Sequence, residues 1–387
     1  MRYLPVLLLA SLLGANEPDF GIETTLYTEM ERIKAHPVDS GGSLPDISLE
    51  DETQKLTTFY TILNYTLPDK EEKWVLNLEG RAALELGSDD YTNPVYRALY
   101  SDEKVNRAIL SEASIDYYST DFAWSVGRNR LDLDWLSGSF DSVMVYGVGA
   151  WIEARAFWFV NYYDFQYNYY TKYTGINDDK GIAGFYLQSG EALQNWEWAW
   201  YYYHVFDEGY LSGVKLFKPL KFLDLNAAYS YLDAIGDGRL PKESFFRLWA
   251  EMERGEHHSF AFGFSQTGEN GLSAMLRFGA HTFSQFYLTG AVDRSKAKNI
   301  YLSYRFESDR FEFETVGGIT SYHDKSLEEN RLVDKEMDAY EIDLHASYAL
   351  NDHTTVTLGY MLLDLDEQDT LNFDQDLLSL SVSAQWP

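Results

Sequence analysis

Residues Val126 to Leu136 read VGRNRLDLDWL and bring two arginines, Arg128 and Arg130, close to two aspartates, Asp132 and Asp134. This is the densest charged stretch whose position suits a function. Charges of both signs act strongly on a passing solute when the surrounding walls have a low dielectric. Folded inward from the top of a strand, the four side chains would narrow a pore and sort solutes by charge. Left in solvent, the same residues make a surface ion pair of little energetic weight. The residues alone leave both readings open.

Further charges occupy every second position of strand-like segments. In Trp74–Leu86, Leu76, Leu78, Ala82, Leu84 and Leu86 share one parity, and Glu79 and Arg81 share the other. Ile152–Tyr163 sets Glu153 and Arg155 against Ala154, Ala156 and Trp158. Phe246–Met252 sets Arg247 and Glu251 against Leu248 and Ala250. Leu272–Ala280 and Ile300–Phe306 place Arg277 and Arg305 on the polar parity in the same way. Period two puts the two sets on opposite faces of a sheet. A cation facing lipid at mid-bilayer costs a barrel ~2–4 kcal/mol, so the charged face belongs to a wet lumen.

The chain ends LLSLSVSAQWP. Leu378, Leu380, Val382, Ala384 and Trp386 alternate with Ser379, Ser381, Ser383 and Gln385. A terminal strand that is greasy on one face and closes near an aromatic is how outer-membrane barrels usually finish. Aromatic residues make up 16% of the 387, yet mean hydropathy is only −0.34. No mature run of 18 apolar residues offers a transmembrane helix. Abundant aromatics without such a run suit alternating membrane strands with interfacial girdles.

The formal charge of −30 opposes nucleic-acid binding, and the absence of Cys removes disulfides and thiolate sites. Residues 1–15, with Arg2 ahead of apolar Leu4–Leu13, read as a signal peptide. Residues 16–387 then form one domain, an all-β antiparallel transmembrane barrel of about 18 strands, within 16 to 20. Short connectors near 68–72, 119–120, 149–151, 218–220, 255–257, 307–309 and 351–353 are the expected periplasmic turns. Connectors near 87–106, 129–139, 164–180, 233–244, 320–337 and 364–375, most of them long, are the expected extracellular loops. Residues 35–55 are either such a loop or a plug.

Enzyme signatures such as G-x-S-x-G, H-E-x-x-H and the P-loop do not occur, and no cofactor or metal is expected. Glu341, Asp343 and His345 share a strand face and read as lumen hydrogen-bonding groups. The acidic stretch Asp364–Asp369 can bridge to lipopolysaccharide phosphates through divalent cations, or simply be solvated.

Gly127-Arg128-Asn129 followed by Leu131-Asp132-x-x-Trp135 resembles the Gly-Arg-Gln … Asp-x-x-Trp segment of OprD-like porins, especially those of campylobacterial outer membranes. Glu112-Ala-Ser-Ile-Asp-Tyr117 resembles the strand before it. The sharp likeness covers about 105–146; Asn129 in place of Gln and the final Trp386-Pro387 depart from the pattern. The resemblance implies passive diffusion of small hydrophilic solutes or ions through a Gram-negative outer membrane. It implies a row of lumen arginines, here Arg81, Arg155, Arg247, Arg277 and Arg305, that guides carboxylates. Opposing acids are available at Glu79, Glu112, Asp116, Glu153 and Glu251. Each arginine can instead pair with an acid and only stiffen the wall. Lipopolysaccharide, the barrel-assembly machinery and a homotrimer are the partners expected of such a protein. The rival reading is a non-conducting barrel for adhesion or anchoring.

Overall fold

A computed structural model describes residues 19–35, 52–89, 107–165, 170–173, 180–193, 196–235, 240–272, 291–328, 331–365 and 373–386. The strands of the first half are β1 (Asp19–Ala35), β2 (Glu52–Pro68), β3 (Trp74–Asp89), β4 (Arg107–Tyr118), β5 (Phe122–Leu133), β6 (Leu136–Val148), β7 (Ile152–Phe165), β8 (Tyr170–Tyr173) and β9 (Ile182–Ser189). There follow β10 (Glu197–Val205), β11 (Gly209–Pro219), β12 (Asp224–Ala234), β13 (Glu243–Arg254), β14 (His258–Thr267), β15 (Ser295–Glu307), β16 (Phe311–Glu328), β17 (Arg331–Asn351), β18 (Thr354–Leu365) and β19 (Phe373–Trp386).

Each strand pairs antiparallel with its neighbours in sequence, and β19 returns to pair with β1 from Ile22↔Trp386 onward. The short β8 pairs with the tip of β7, beyond the stretch where β7 and β9 pair directly. The wall is therefore a closed 18-strand antiparallel barrel. Among the described residues, closure pairs each of the 18 wall strands on both sides over at least part of its length, which is what lets β-structure sit in hydrocarbon.

Alternation decides the two faces. On β19, Leu378, Leu380, Val382 and Trp386 are exposed on the outside. Ser383, of the opposite parity, bonds Thr25 of β1 inside at 2.8 Å. Outward aromatics crowd the end where the chain terminates: Trp74, Tyr117, Phe122 and Trp124 pack together, and Trp151, Trp196, Phe222, Tyr348 and Trp386 stay exposed. Rings at that level suit an interfacial girdle, with apolar residues between it and the other rim.

The connectors sort by end. Those at the terminal end are short: 69–73, 119–121, 149–151, 220–223, 255–257, 308–310 and 352–353, with a 3-10 turn (Glu191–Leu193) between β9 and β10. The opposite end, here the loop end, carries the long ones.

Two expected connectors are overturned. Residues 129–139 are not a loop: β5 runs on to Leu133 and β6 starts at Leu136, leaving a two-residue turn. Alternating Leu131 and Leu133 keep the strand period that the charges between them obscure. Nor is 320–337 a loop, because β16 continues to Glu328 and β17 begins at Arg331, paired throughout. The segment after Leu272, the signal peptide, most of 35–55, Asp366–Asp369 and Pro387 lie outside the described residues.

Candidate functional site

Beyond Arg128, β5 has no further partner in β4, whose pairing with it ends at Ala113↔Arg128. On the other side, β6 pairs with β7 only up to Ser139↔Tyr163. The tip of the hairpin therefore hydrogen-bonds as a ladder only to itself and leans away from the wall, into the barrel. Glycines stand at both bends. Gly127 has φ 128° and Gly138 φ 135°, conformations that a Cβ disfavours. A Cβ on Gly138 would also lie 3.1 Å from the Tyr163 carbonyl oxygen.

Arg128 pins the root. Its Nε donates to Asp141 Oδ1 at 2.7 Å, and its Nη1 donates to the Leu110 carbonyl of β4 at 2.7 Å. The guanidinium carbon lies 3.8 Å from the centroid of the Tyr163 ring. Asp141 also accepts from Asn161 Nδ2 at 2.8 Å and from the Tyr163 hydroxyl at 3.2 Å. Asn129, buried, donates to Ser142 Oγ at 2.9 Å and accepts from Ser125, so its amide spans both arms of the hairpin.

The tip is anchored by Trp135, which is 0% exposed. Its indole Nε1 donates to the Tyr201 hydroxyl at 3.0 Å and to Ser230 Oγ at 2.9 Å, on β10 and β12. Its ring meets Phe245 of β13 edge-on, with centroids 5.7 Å apart. Beside it, Asp134 accepts from Lys215 Nζ of β11 at 2.7 Å and from the Tyr186 hydroxyl of β9 at 3.1 Å. Trp135 holds φ 65°, uncommon outside glycine, and its buried contacts keep it there.

The hairpin thus has two unlike faces. Leu131, Leu133, Leu136 and Phe140 join Phe157, Phe159, Tyr201 and Tyr203 in one buried apolar cluster that reaches from β7 to β13. This part of the interior is packed, so the wet lumen expected from the charged parity is confined to the rest of it. The other face carries Arg130 and Asp132, both exposed. Arg130 Nη1 lies 3.9 Å from Glu79 Oε2 on β3. Glu79 also binds Arg81 Nε at 2.5 Å and accepts from Ser111 Oγ at 2.7 Å. Glu112 sits opposite Glu79 in register, and Asp116 accepts from Asn77 Nδ2 at 2.7 Å. Arg130 therefore faces the paired carboxylates Glu79 and Glu112, with Arg81 the other cation beside them, while Asp116 lies farther down the wall opposite Ser125.

The remaining expected lumen residues are dispersed. Glu153 accepts from Gln188 at 2.5 Å, and Arg155 lies 5.5 Å from the Tyr146 ring centroid. Arg247 is buried, bonded to the Tyr301 hydroxyl at 3.0 Å and stacked 4.3 Å from the Trp249 ring centroid. Glu251 accepts from the Trp249 indole at 2.7 Å. Arg305 pairs with Glu312 at 2.8 Å and with Glu307 at 3.1 Å near the terminal end. Arg277 lies outside the described residues. Among the described residues these arginines are spread around the wall on β3, β7, β13 and β15 and do not form one row.

The backbone architecture is shared with solved structures. OccAB4 of Acinetobacter baumannii superposes with a TM-score of 0.69 at 12% identity, over 97% of this chain and 99% of that one. A BenF-like porin from Pseudomonas fluorescens Pf-5 gives 0.69 at 12%, over 95% and 99%. OccK2 (OpdF) of Pseudomonas aeruginosa gives 0.69 at 12%, over 96% and 98%. The fold is that of the OprD/Occ porins. No family model matches the sequence, and no curated protein does. At such identity the porin likeness is one of fold.

Within this porin fold, the sequence reading missed Tyr186, Tyr201, Lys215, Ser230 and Phe245, the side chains that receive the hairpin tip. A signal existed in Trp198–Tyr203, WAWYYY, where both parities are aromatic or small. A strand without a charged parity reads as covered on both faces, not as one wall of a charged lumen.

Proposed function

We propose that this protein is an OprD-like porin of a Gram-negative outer membrane, of the campylobacterial type, through which small hydrophilic solutes or ions diffuse passively. The observation that carries this is the β5–β6 hairpin, which leaves the wall of a closed barrel and splits the interior into a packed side and a charged side. Solutes pass on the charged side. Arg130 and Asp132 present charge to them at the constriction, while Arg128 and Asp134 hold the constriction in place. Glu79, Arg81 and Glu112 form the facing wall; Asp116, Glu153, Arg155, Arg247, Glu251 and Arg305 belong to the lumen beyond it. Selectivity comes from width and charge, with no chemical step. Residues 1–15 direct export, the barrel-assembly machinery inserts the chain, and lipopolysaccharide surrounds the loop end, with a homotrimer as the assembled form.

Single-channel recording of the purified protein in a planar bilayer under a salt gradient tests this. Discrete conductance steps are expected. A folded, inserted protein that passes no current overturns the porin reading and leaves a non-conducting barrel.

A further inference from the structure

Seating the hairpin tip leaves a recess that the charged face does not use. On the inner wall of β9 to β13, bordered by Tyr186 and Lys215 of the tip's anchor, lies a cavity of ≈ 250 Å³. Gln188, Glu197, Lys215 and Asn226 give it polar lining, and Trp249, opposite Asn226 in register, forms part of its side. Trp249 is held by Glu251 and Arg247.

Asn226 is the informative residue. It is only 8% exposed, and its amide Nδ2 has no hydrogen-bond partner. A buried donor without a partner is costly and marks a place where a ligand group would be held. The lining cation is already matched, since Lys215 serves Asp134 at 2.7 Å. A solute carboxylate would find no uncompensated lining cation here. What remains is an amide donor, a side-chain amide on Gln188 and the exposed carboxylate of Glu197. Such groups both give and take hydrogen bonds, as sugar hydroxyls do. An aromatic wall beside a few convergent polar groups suits a ring with an apolar face.

We propose that this recess is a binding station for a neutral, polyhydroxylated solute the size of a single sugar. The Asn226 amide donates to one hydroxyl, the Glu197 carboxylate accepts from another, and Trp249 flanks the ring. The proposal rests on the porin reading above.

The test is current block in planar bilayers with the full-length protein, using glucose as probe and acetate and glycine in separate arms. Glucose is expected to block in a saturable way, acetate and glycine not. In Asn226→Leu the half-blocking concentration should rise about three- to tenfold, the worth of one hydrogen bond. Glu197→Gln, at an exposed position, should raise it less and decides the matter if the first variant does not assemble. A channel that conducts but shows no saturable glucose block, or equal block in both variants, or block by acetate instead, overturns the sugar station and leaves the porin standing. Absence of conductance removes both.

Discussion

Trp135 and Ser230 are joined by a 2.9 Å hydrogen bond that links a hairpin rooted between β4 and β7 to the inner face of β12. Six wall strands, β7 and β9 to β13, are bridged from within by this one tip. Its removal gives the most direct prediction. Trp135→Ala vacates a fully buried indole, and large-to-small changes of that kind cost about 3–5 kcal/mol. Thermal unfolding followed by heat-modifiable gel mobility should shift downward. Single-channel conductance should rise and become noisier as the tip loosens. Wild-type conductance in a destabilised variant would show that the hairpin does not narrow the passage.

The bends at Gly127 and Gly138 make a separable prediction. Each adopts a positive φ, and a non-glycine residue there costs about 1–3 kcal/mol before any clash. Gly127→Val and Gly138→Val should both lower thermal stability or barrel yield. Gly147 on β6 has open space around it, so Gly147→Ala should behave as wild type. Equal behaviour of all three would refute the bends as the origin of the inward lean.

Arg128 and Arg130 stand two residues apart and should respond differently to charge reversal. Arg130 is exposed and reaches Glu79 at 3.9 Å, so Arg130→Glu adds a negative charge to an acidic wall. The reversal potential under a salt gradient should move toward cation preference, with stability nearly unchanged. Arg128→Glu faces Asp141 at the hairpin root and should reduce folded yield instead. A selectivity shift from the Arg128 change alone would reverse these roles.

The two faces of β19 can be tested in one strand. Leu380 is on the exposed apolar face, and Leu380→Arg should destabilise by about 2–4 kcal/mol if it sits near mid-bilayer. Ser381 is on the inner parity, and Ser381→Arg should be tolerated while changing conductance. Unfolding midpoints in lipid vesicles distinguish the two. Equal tolerance would mean that the apolar face is not in lipid.

Much of the architecture was legible from the chain itself. Leu378, Leu380 and Val382 against Ser379, Ser381 and Ser383 disclose a sheet with one greasy face, and the same pattern repeated along the chain requires a barrel of about 18 strands. That follows because period two is a local property and a lipid-facing charge is too costly to hide. Asn129 to Ser139 was less legible. Its charges look like a solvated loop in one dimension, because nothing local says that Leu131 and Leu133 have an apolar wall to meet.

What tertiary structure alone decided is where the hairpin goes. Trp135 finds Tyr201, Ser230 and Phe245, and Asp134 finds Lys215, from strands 66 to 110 positions later in the chain or within that range. No spacing rule connects such residues. They meet because barrel closure brings β10 to β13 around to face the gap between β4 and β7, and because a buried indole and carboxylate must each find a polar partner. The sequence by itself determined the faces of the strands; closure determined which part of the interior is packed and which part is lined by charge.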